Sequence, residues 1–69
     1  MGSFHIVPNN TMRIDIAFGD ENIIIDFNKW LHEEGVWHSS LVGVWTFYSA
    51  DMPRVKEWLV THDIVEKAE

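Results

Sequence analysis

Cysteine is absent from this chain of 69 residues, which excludes disulfide bonds and cysteine-ligated metal sites. A chain of this length forms one domain and buries only about 60% of the surface that its unfolded state exposes. Its stability must therefore come from a dense apolar core, from self-association or from a bound partner. Its 4 tryptophans, 4 phenylalanines and 1 tyrosine favour a dense core.

Basic residues are scarce, because 5 lysines and arginines stand against 11 acids and give a net charge of −6. Nucleic acid and anionic membranes both attract basic surfaces. We therefore expect no direct binding to nucleic acid or to a membrane. An acidic surface keeps a small protein soluble, or it binds a basic protein partner.

Long hydrophobic runs and targeting signals are missing as well. No apolar run approaches the roughly 18 residues that a membrane-spanning helix needs. The first residues show no basic segment followed by an apolar one, so we expect no signal peptide and a cytoplasmic location. The 4 glycines are scattered and form no phosphate-binding loop, so we expect no cofactor.

The clearest local pattern predicts a helix over Asp20–Gly35. Apolar residues there recur at the spacing of one helical face, namely Ile23, Ile24, Phe27, Trp30 and Leu31. Asp20 is a suitable N-cap, and Gly35 can adopt the left-handed conformation that ends a helix. A hairpin that pairs residues 12–18 with 23–27 is the alternative, but it leaves Trp30 and Leu31 unexplained.

The other elements follow from alternation and turn residues. Thr11–Phe18 alternates apolar and polar side chains, which predicts a strand with one buried face. Val36–Leu41 and Val44–Ser49 are predicted strands joined at Val42-Gly43, and one long strand from Leu41 to Tyr48 with a bulge at Gly43 is the alternative. A second helix is predicted to begin at Asp51-Met52-Pro53 and to end at Thr61-His62-Asp63, before a final edge strand over Ile64–Ala68.

The predicted order β-α-β-β-α-β is that of an α+β, ferredoxin-like fold. Two helices would pack on one face of a mostly antiparallel, four-stranded sheet, and residues 11–69 would form this single domain. Residues 1–10 contain the strand-like segment Phe4–Val7 and a turn at Pro8-Asn9-Asn10. We expect them to form an N-terminal arm or an extra edge strand.

The residues that usually carry chemistry form no recognisable site. Histidines at 5, 32, 38 and 62 lack the i, i+4 spacing of a helical metal site. His38 and Ser40 can share one face of a strand, but the spacing identifies no acid to orient the imidazole. We therefore assign no catalytic, cofactor or metal residue, and an enzyme that uses His38 or His62 is the least supported hypothesis.

One candidate interaction surface is acidic. Between residues 15 and 34 a single base, Lys29, accompanies six acids, namely Asp15, Asp20, Glu21, Asp26, Glu33 and Glu34. These acids would form an acidic stripe along the outer face and the ends of the first helix. Such a stripe can dock on a basic groove, although most charged helix faces are simply solvated.

The second candidate surface is the far side of the sheet. If Trp45 and Phe47 face the helices, the side chains of Val44, Thr46 and Tyr48 point away from them. Trp37 or Val36 joins these three, depending on the register. An apolar, aromatic patch of this kind is typical of interfaces, unless Phe4–Val7 folds over it.

Two functions are compatible with these features. The first is a non-catalytic protein-binding protein. A small, acidic chain without cysteine is similar in general character to phage-encoded inhibitors of the anti-CRISPR and DNA-mimic types. That similarity implies a basic, nucleic-acid-handling enzyme as the partner, although no motif supports it. The alternative is a ligand-binding or regulatory domain that forms a homodimer through its sheet face.

Overall fold

The computed structural model describes residues 2–7, 10–16 and 19–67 and contains five strands and two helices in them. The elements in chain order are β1 (Gly2–Val7), β2 (Thr11–Ile16), α1 (Asn22–Glu33), β3 (His38–Leu41), β4 (Val44–Phe47), α2 (Met52–Thr61) and β5 (Ile64–Glu66). Both predicted helices are confirmed, so the hairpin alternative for residues 12–27 is wrong. The predicted turn residues Pro8 and Asn9 and the predicted strand ends Phe18 and Ala68 lie outside the described residues.

The strands form one mixed sheet in the order β3-β4-β2-β1-β5, which confirms the α+β class. β1 pairs antiparallel with β2 and parallel with β5, while the β2-β4 and β3-β4 pairs are antiparallel. β1 is thus an interior strand rather than the arm or edge strand that we expected. In the ferredoxin-like fold the first and last strands pair with each other. Their counterparts in this chain are β2 and β5, and β1 lies between them, so the strand order differs from that fold.

Both helices pack on the same face of the sheet. Phe27 lies at the centre of this packing, with its ring centroid 5.1 Å from that of Trp45 on β4 and 5.2 Å from that of Trp58 on α2. Aromatic pairs at such distances add about 0.5–1.5 kcal/mol beyond the burial of their area. The buried core as a whole comprises Phe4, Met12, Phe27, Leu31, Val36, Trp45, Phe47, Met52, Val55, Leu59 and Ile64.

The end of α1 fixes the entry into β3. Gly35 has a φ of 66°, which confirms the predicted left-handed residue. The Val36 amide donates to the Leu31 carbonyl at 2.9 Å, and the Gly35 amide donates to the His32 carbonyl at 3.2 Å, as in a Schellman motif. At the other end the N-cap is Glu21 rather than Asp20. No helix within the described ranges is long and apolar enough to cross a membrane.

Replacing Phe27 by alanine should remove most of the stability of the fold. Truncating a buried phenylalanine costs about 3–5 kcal/mol, and domains of this size have roughly 3–10 kcal/mol to lose. We expect a large fall in the urea midpoint measured by circular dichroism. Ile25→Ala is the matched control, because Ile25 lies on the same helix but is 66% exposed. An unchanged midpoint for Phe27→Ala would contradict the central role of this ring.

Candidate functional site

The sheet face that points away from both helices is one candidate surface, and we call it the open face. Cross-strand partners point to the same side of a sheet, so the register assigns each strand residue to a face. Thr46 pairs with Ser39 and Thr11 there, and Val44 pairs with Leu41 and Arg13. The described strand residues on the open face are Ser3, His5, Val7, Thr11, Arg13, Asp15, Ser39, Leu41, Val44, Thr46 and Val65.

A pair of stacked aromatic rings stands at one end of this face. Trp37 precedes β3 and Tyr48 follows β4, and their ring centroids lie 4.8 Å apart with an angle of 25° between the planes. The side chains remain 48% and 58% exposed. The sequence left open whether Trp37 or Val36 joins this surface. The residue is Trp37, because Val36 is buried in the core directly after the helix end. The structure brings Trp37, Tyr48, Val44 and Thr46 onto one surface, as expected.

The β3-β4 turn exposes two further apolar side chains, which the sequence analysis did not single out. Leu41 is 74% exposed and Val42 is 89% exposed. Val42 and Gly43 both have positive φ, 51° and 74°, as in a two-residue type I′ turn, where Asn-Gly is preferred. A β-branched residue in this conformation carries a strain of about 1–2 kcal/mol. In the sequence, the signal for this exposed and strained turn was a Val-Gly pair at a place where Asn-Gly is preferred.

The outer edge of the sheet beside this turn is unprotected. β3 is an edge strand of sequence His-Ser-Ser-Leu without a lysine, an acid or a proline, which are the residues that usually discourage edge pairing. The opposite edge, β5, carries Glu66 and Lys67 at its end. In a two-residue hairpin the flanking pair, here Leu41 and Val44, exchanges hydrogen bonds. Hydrogen-bonding direction alternates along a strand, so the backbone N–H and C=O groups of His38 and Ser40 point outward, away from β4.

The six predicted acids do not form one surface. Asp15 lies on the open face, since its neighbours on β2 pack against the core on the helix side. Asp26 and Glu33 are exposed on α1, where Lys29 lies between them along the helix. The expectation of one acidic stripe is therefore wrong for Asp15, because strand alternation turns its carboxylate away from α1.

The remaining acids mark the ends of α1. Asp20 and Glu21 are exposed at its N-terminus, where negative charge is favourable for the helix dipole. Glu34 follows the last turn, with one carboxylate oxygen 3.9 Å from the Arg54 guanidinium of α2. These three acids thus have local structural roles, and only Asp26 and Glu33 remain as exposed acids on the body of the helix.

The histidines form a pair but no complete metal site. The ring centroids of His32 and His38 are 5.9 Å apart, and Nδ1 of His38 lies 3.1 Å from the Val36 carbonyl oxygen. Among the described residues no group of three histidines or acids could hold a metal ion. His38 and Ser40 do share a face, but it is the helix side of β3, opposite Phe47 and Trp45.

Val42→Asn should make the protein more stable, because asparagine tolerates the left-handed conformation that strains valine. A gain of about 1 kcal/mol would raise the melting temperature by roughly 4–8 °C in a domain of this size. Differential scanning calorimetry measures this shift. Val60→Asn is the control, since Val60 is an exposed helical residue without positive φ. A lower melting temperature for Val42→Asn would show that the turn is not strained.

Comparisons with protein-family models, with curated proteins and with solved structures found no match for this chain. Its function must therefore be inferred from the surfaces that the fold leaves exposed. One of these is the β3-β4 hairpin, with exposed Trp37 and Tyr48 at its open end and exposed Leu41 and Val42 at its turn, and we call these four side chains the hairpin corner.

Proposed function

We propose that this chain is a non-catalytic protein-binding domain and that its partner binds at the hairpin corner. The observation that carries this proposal is that one hairpin has exposed apolar side chains at both of its ends and an unprotected strand edge between them. Aromatic residues such as Trp37 and Tyr48 are enriched among the few side chains that dominate binding energy. Their mutual stacking also keeps them ordered, so that little side-chain entropy is lost on binding.

Strand addition is the binding mode that this corner favours. An extended partner segment would pair with the outward backbone groups of His38 and Ser40, and its side chains would contact Trp37 and Leu41. A standard interface buries roughly 800 Å² on each partner. The chain has 4582 Å² of accessible surface, so such an interface would cover about a sixth of it.

Removing both rings of the hairpin corner should abolish partner binding. Truncating two aromatic anchors costs at least about 2 kcal/mol, or roughly 30-fold in affinity. The experiment is crosslinking capture from lysate with the wild type, with Trp37→Ala/Tyr48→Ala and with Ile25→Ala, each verified as folded by circular dichroism. We expect one stoichiometric partner with the wild type and with Ile25→Ala only. Equal capture by the double variant would refute the proposal.

The homodimeric regulatory domain is the alternative, and the same corner would then bind a second copy. It is supported by the exposed edge of β3, which has no lysine, acid or proline to discourage pairing with a second copy. Two β3 edges can pair antiparallel in a symmetric dimer. A protein that elutes alone as a dimer, and as a monomer after the double substitution, would favour this alternative over a heterologous partner.

A narrower form of the proposal is an inhibitor of a nucleic-acid-handling enzyme, of the DNA-mimic or anti-CRISPR type. It is supported by the net charge of −6 and by the exposure of Asp26 and Glu33 on α1. These carboxylates would take the positions of phosphates in a basic groove. They lie on the helix side of the molecule, away from the hairpin corner, so the two surfaces can be tested separately.

Charge reversal at Asp26 and Glu33 tests this narrower form. If the acids contact a basic groove, Asp26→Lys/Glu33→Lys should weaken binding to the captured partner more than tenfold and reduce its salt dependence. Glu66→Lys on β5 is a control with an exposed acid elsewhere. Unchanged affinity at low salt would exclude the acidic helix as the interface and leave the hairpin corner unaffected.

A further inference from the structure

A groove between the two helices lies on the opposite side of the molecule from the open face, and it is independent of the proposed function. It has a volume of about 250 Å³. Its lining includes Trp30 of α1 and Glu34 directly after that helix, together with Arg54, Glu57 and Trp58 of α2 and His62 directly after it. Pockets for drug-sized ligands have about 300–1,000 Å³. The groove therefore has room for one long side chain rather than for a large ligand.

Indole rings form its floor. The centroids of Trp30 and Trp58 are 5.8 Å apart with 30° between the planes, and both residues are only half-buried. Phe27 of the core stacks against Trp30 and lies 5.2 Å from Trp58, so it supports both rings from below. Indole faces carry negative electrostatic potential and attract cations. The Trp30 indole, with Phe27 stacked behind it, is thus the part of the floor that favours a flat, positively charged group, because the His62 ring already covers one face of Trp58.

The groove wall contains the imidazole of His62, and the tautomer of this ring follows from its hydrogen bond. The His62 ring stacks on Trp58 with a centroid distance of 3.7 Å. Its Nδ1 atom lies 2.7 Å from the Trp58 carbonyl oxygen, which can only accept a hydrogen bond. Nδ1 must therefore carry a proton, and in the neutral ring Nε2 keeps a lone pair.

Arg54, the only lysine or arginine among the described residues that line the groove, is already paired. Two nitrogens of Arg54 donate to Oδ1 of Asp51 at 2.9 and 3.2 Å. A third nitrogen lies 3.9 Å from the Glu34 carboxylate. Glu57 is exposed on the same face of α2, one turn beyond Arg54. The rim thus offers two carboxylates and one imidazole nitrogen as acceptors around an aromatic floor.

We propose that this groove binds the guanidinium group of an arginine side chain on a protein partner. Guanidinium is planar, stacks on indole faces and donates up to five hydrogen bonds, which matches a flat aromatic floor with acceptors at its rim. The lysine ammonium is compact and strongly hydrated, so it gains less from stacking. The net charge of −6 also attracts a basic partner segment.

The probe is N-acetyl-arginine amide, titrated into the 15N-labelled full chain and followed by NMR. The four tryptophan indole N–H signals report separate places, because Trp37 lies at the hairpin corner and Trp45 in the core. We expect saturable shifts of the Trp30 and Trp58 signals with a dissociation constant on the order of 1 mM. N-acetyl-citrulline amide, which has nearly the same shape but no charge, should bind at least fivefold more weakly, and so should N-acetyl-lysine amide.

Three variants test how charged groups of the groove change the affinity for the arginine probe. Glu57→Gln should weaken arginine binding at least threefold, because it removes a free carboxylate from the rim. Arg54→Gln should strengthen binding, because it removes a competing cation and releases Glu34. Glu66→Gln is the control, because it removes an exposed carboxylate outside the groove, and it should leave the affinity unchanged. These substitutions are at exposed positions, and the NMR spectrum itself shows whether each variant is folded.

Several results would overturn the proposal. Equal affinity for the citrulline and arginine probes would show that charge plays no part. Shifts of all four indole signals in proportion would indicate binding without a defined site. The absence of any saturable shift would exclude the site directly. None of these outcomes bears on the hairpin corner, whose test uses different variants and a different measurement.

Discussion

The contact of Phe27 with the sheet determines which face of the sheet is covered by helices and which face stays exposed. Its ring meets Trp45 and Phe47 of β4 and Trp58 of α2, so one side chain holds both helices to the same face. Two layers are then complete, and in the described part of the chain no helix covers the second face of the sheet. The same aromatic cluster reaches the surface at its other end, where Trp30 and Trp58 border the interhelical groove. A single core packing thus leaves aromatic side chains exposed on two opposite sides.

Local patterns predict the elements well because each is set by neighbours in sequence. The helical spacing around Phe27 and the left-handed Gly35 define α1, and the alternation from Thr11 to Ile16 defines β2. The place of β1 in the sheet could not be predicted in this way. The segment resembles a strand locally, but its interior position depends on pairing with β5 and on the burial of Phe4, which are contacts between distant parts of the chain.

The candidate surfaces were predictable in part, for similar reasons. Strand alternation correctly grouped Val44, Thr46 and Tyr48, but the choice of Trp37 depended on the Schellman turn that directs Val36 into the core. Counting acids along the sequence suggested a stripe, because sequence order does not show that Asp15 and α1 lie on opposite sides of the sheet. Trp30 and Trp58 looked like core residues, since spacing alone does not separate the centre of an apolar face from its margin.

The parallel pairing of β1 with β5 has a consequence for how the chain folds during synthesis. The Lys67 amide donates to the Phe4 carbonyl at 2.8 Å, so nearly all the described chain lies between these two partners. A contact of such long range raises the contact order, and the entropy of closing the loop must be lost before the pair gains any energy. On the ribosome, one edge of β1 therefore remains unpaired until the last strand emerges from the exit tunnel. The nascent chain thus exposes for a time an edge of β1 that lies in the interior of the finished sheet.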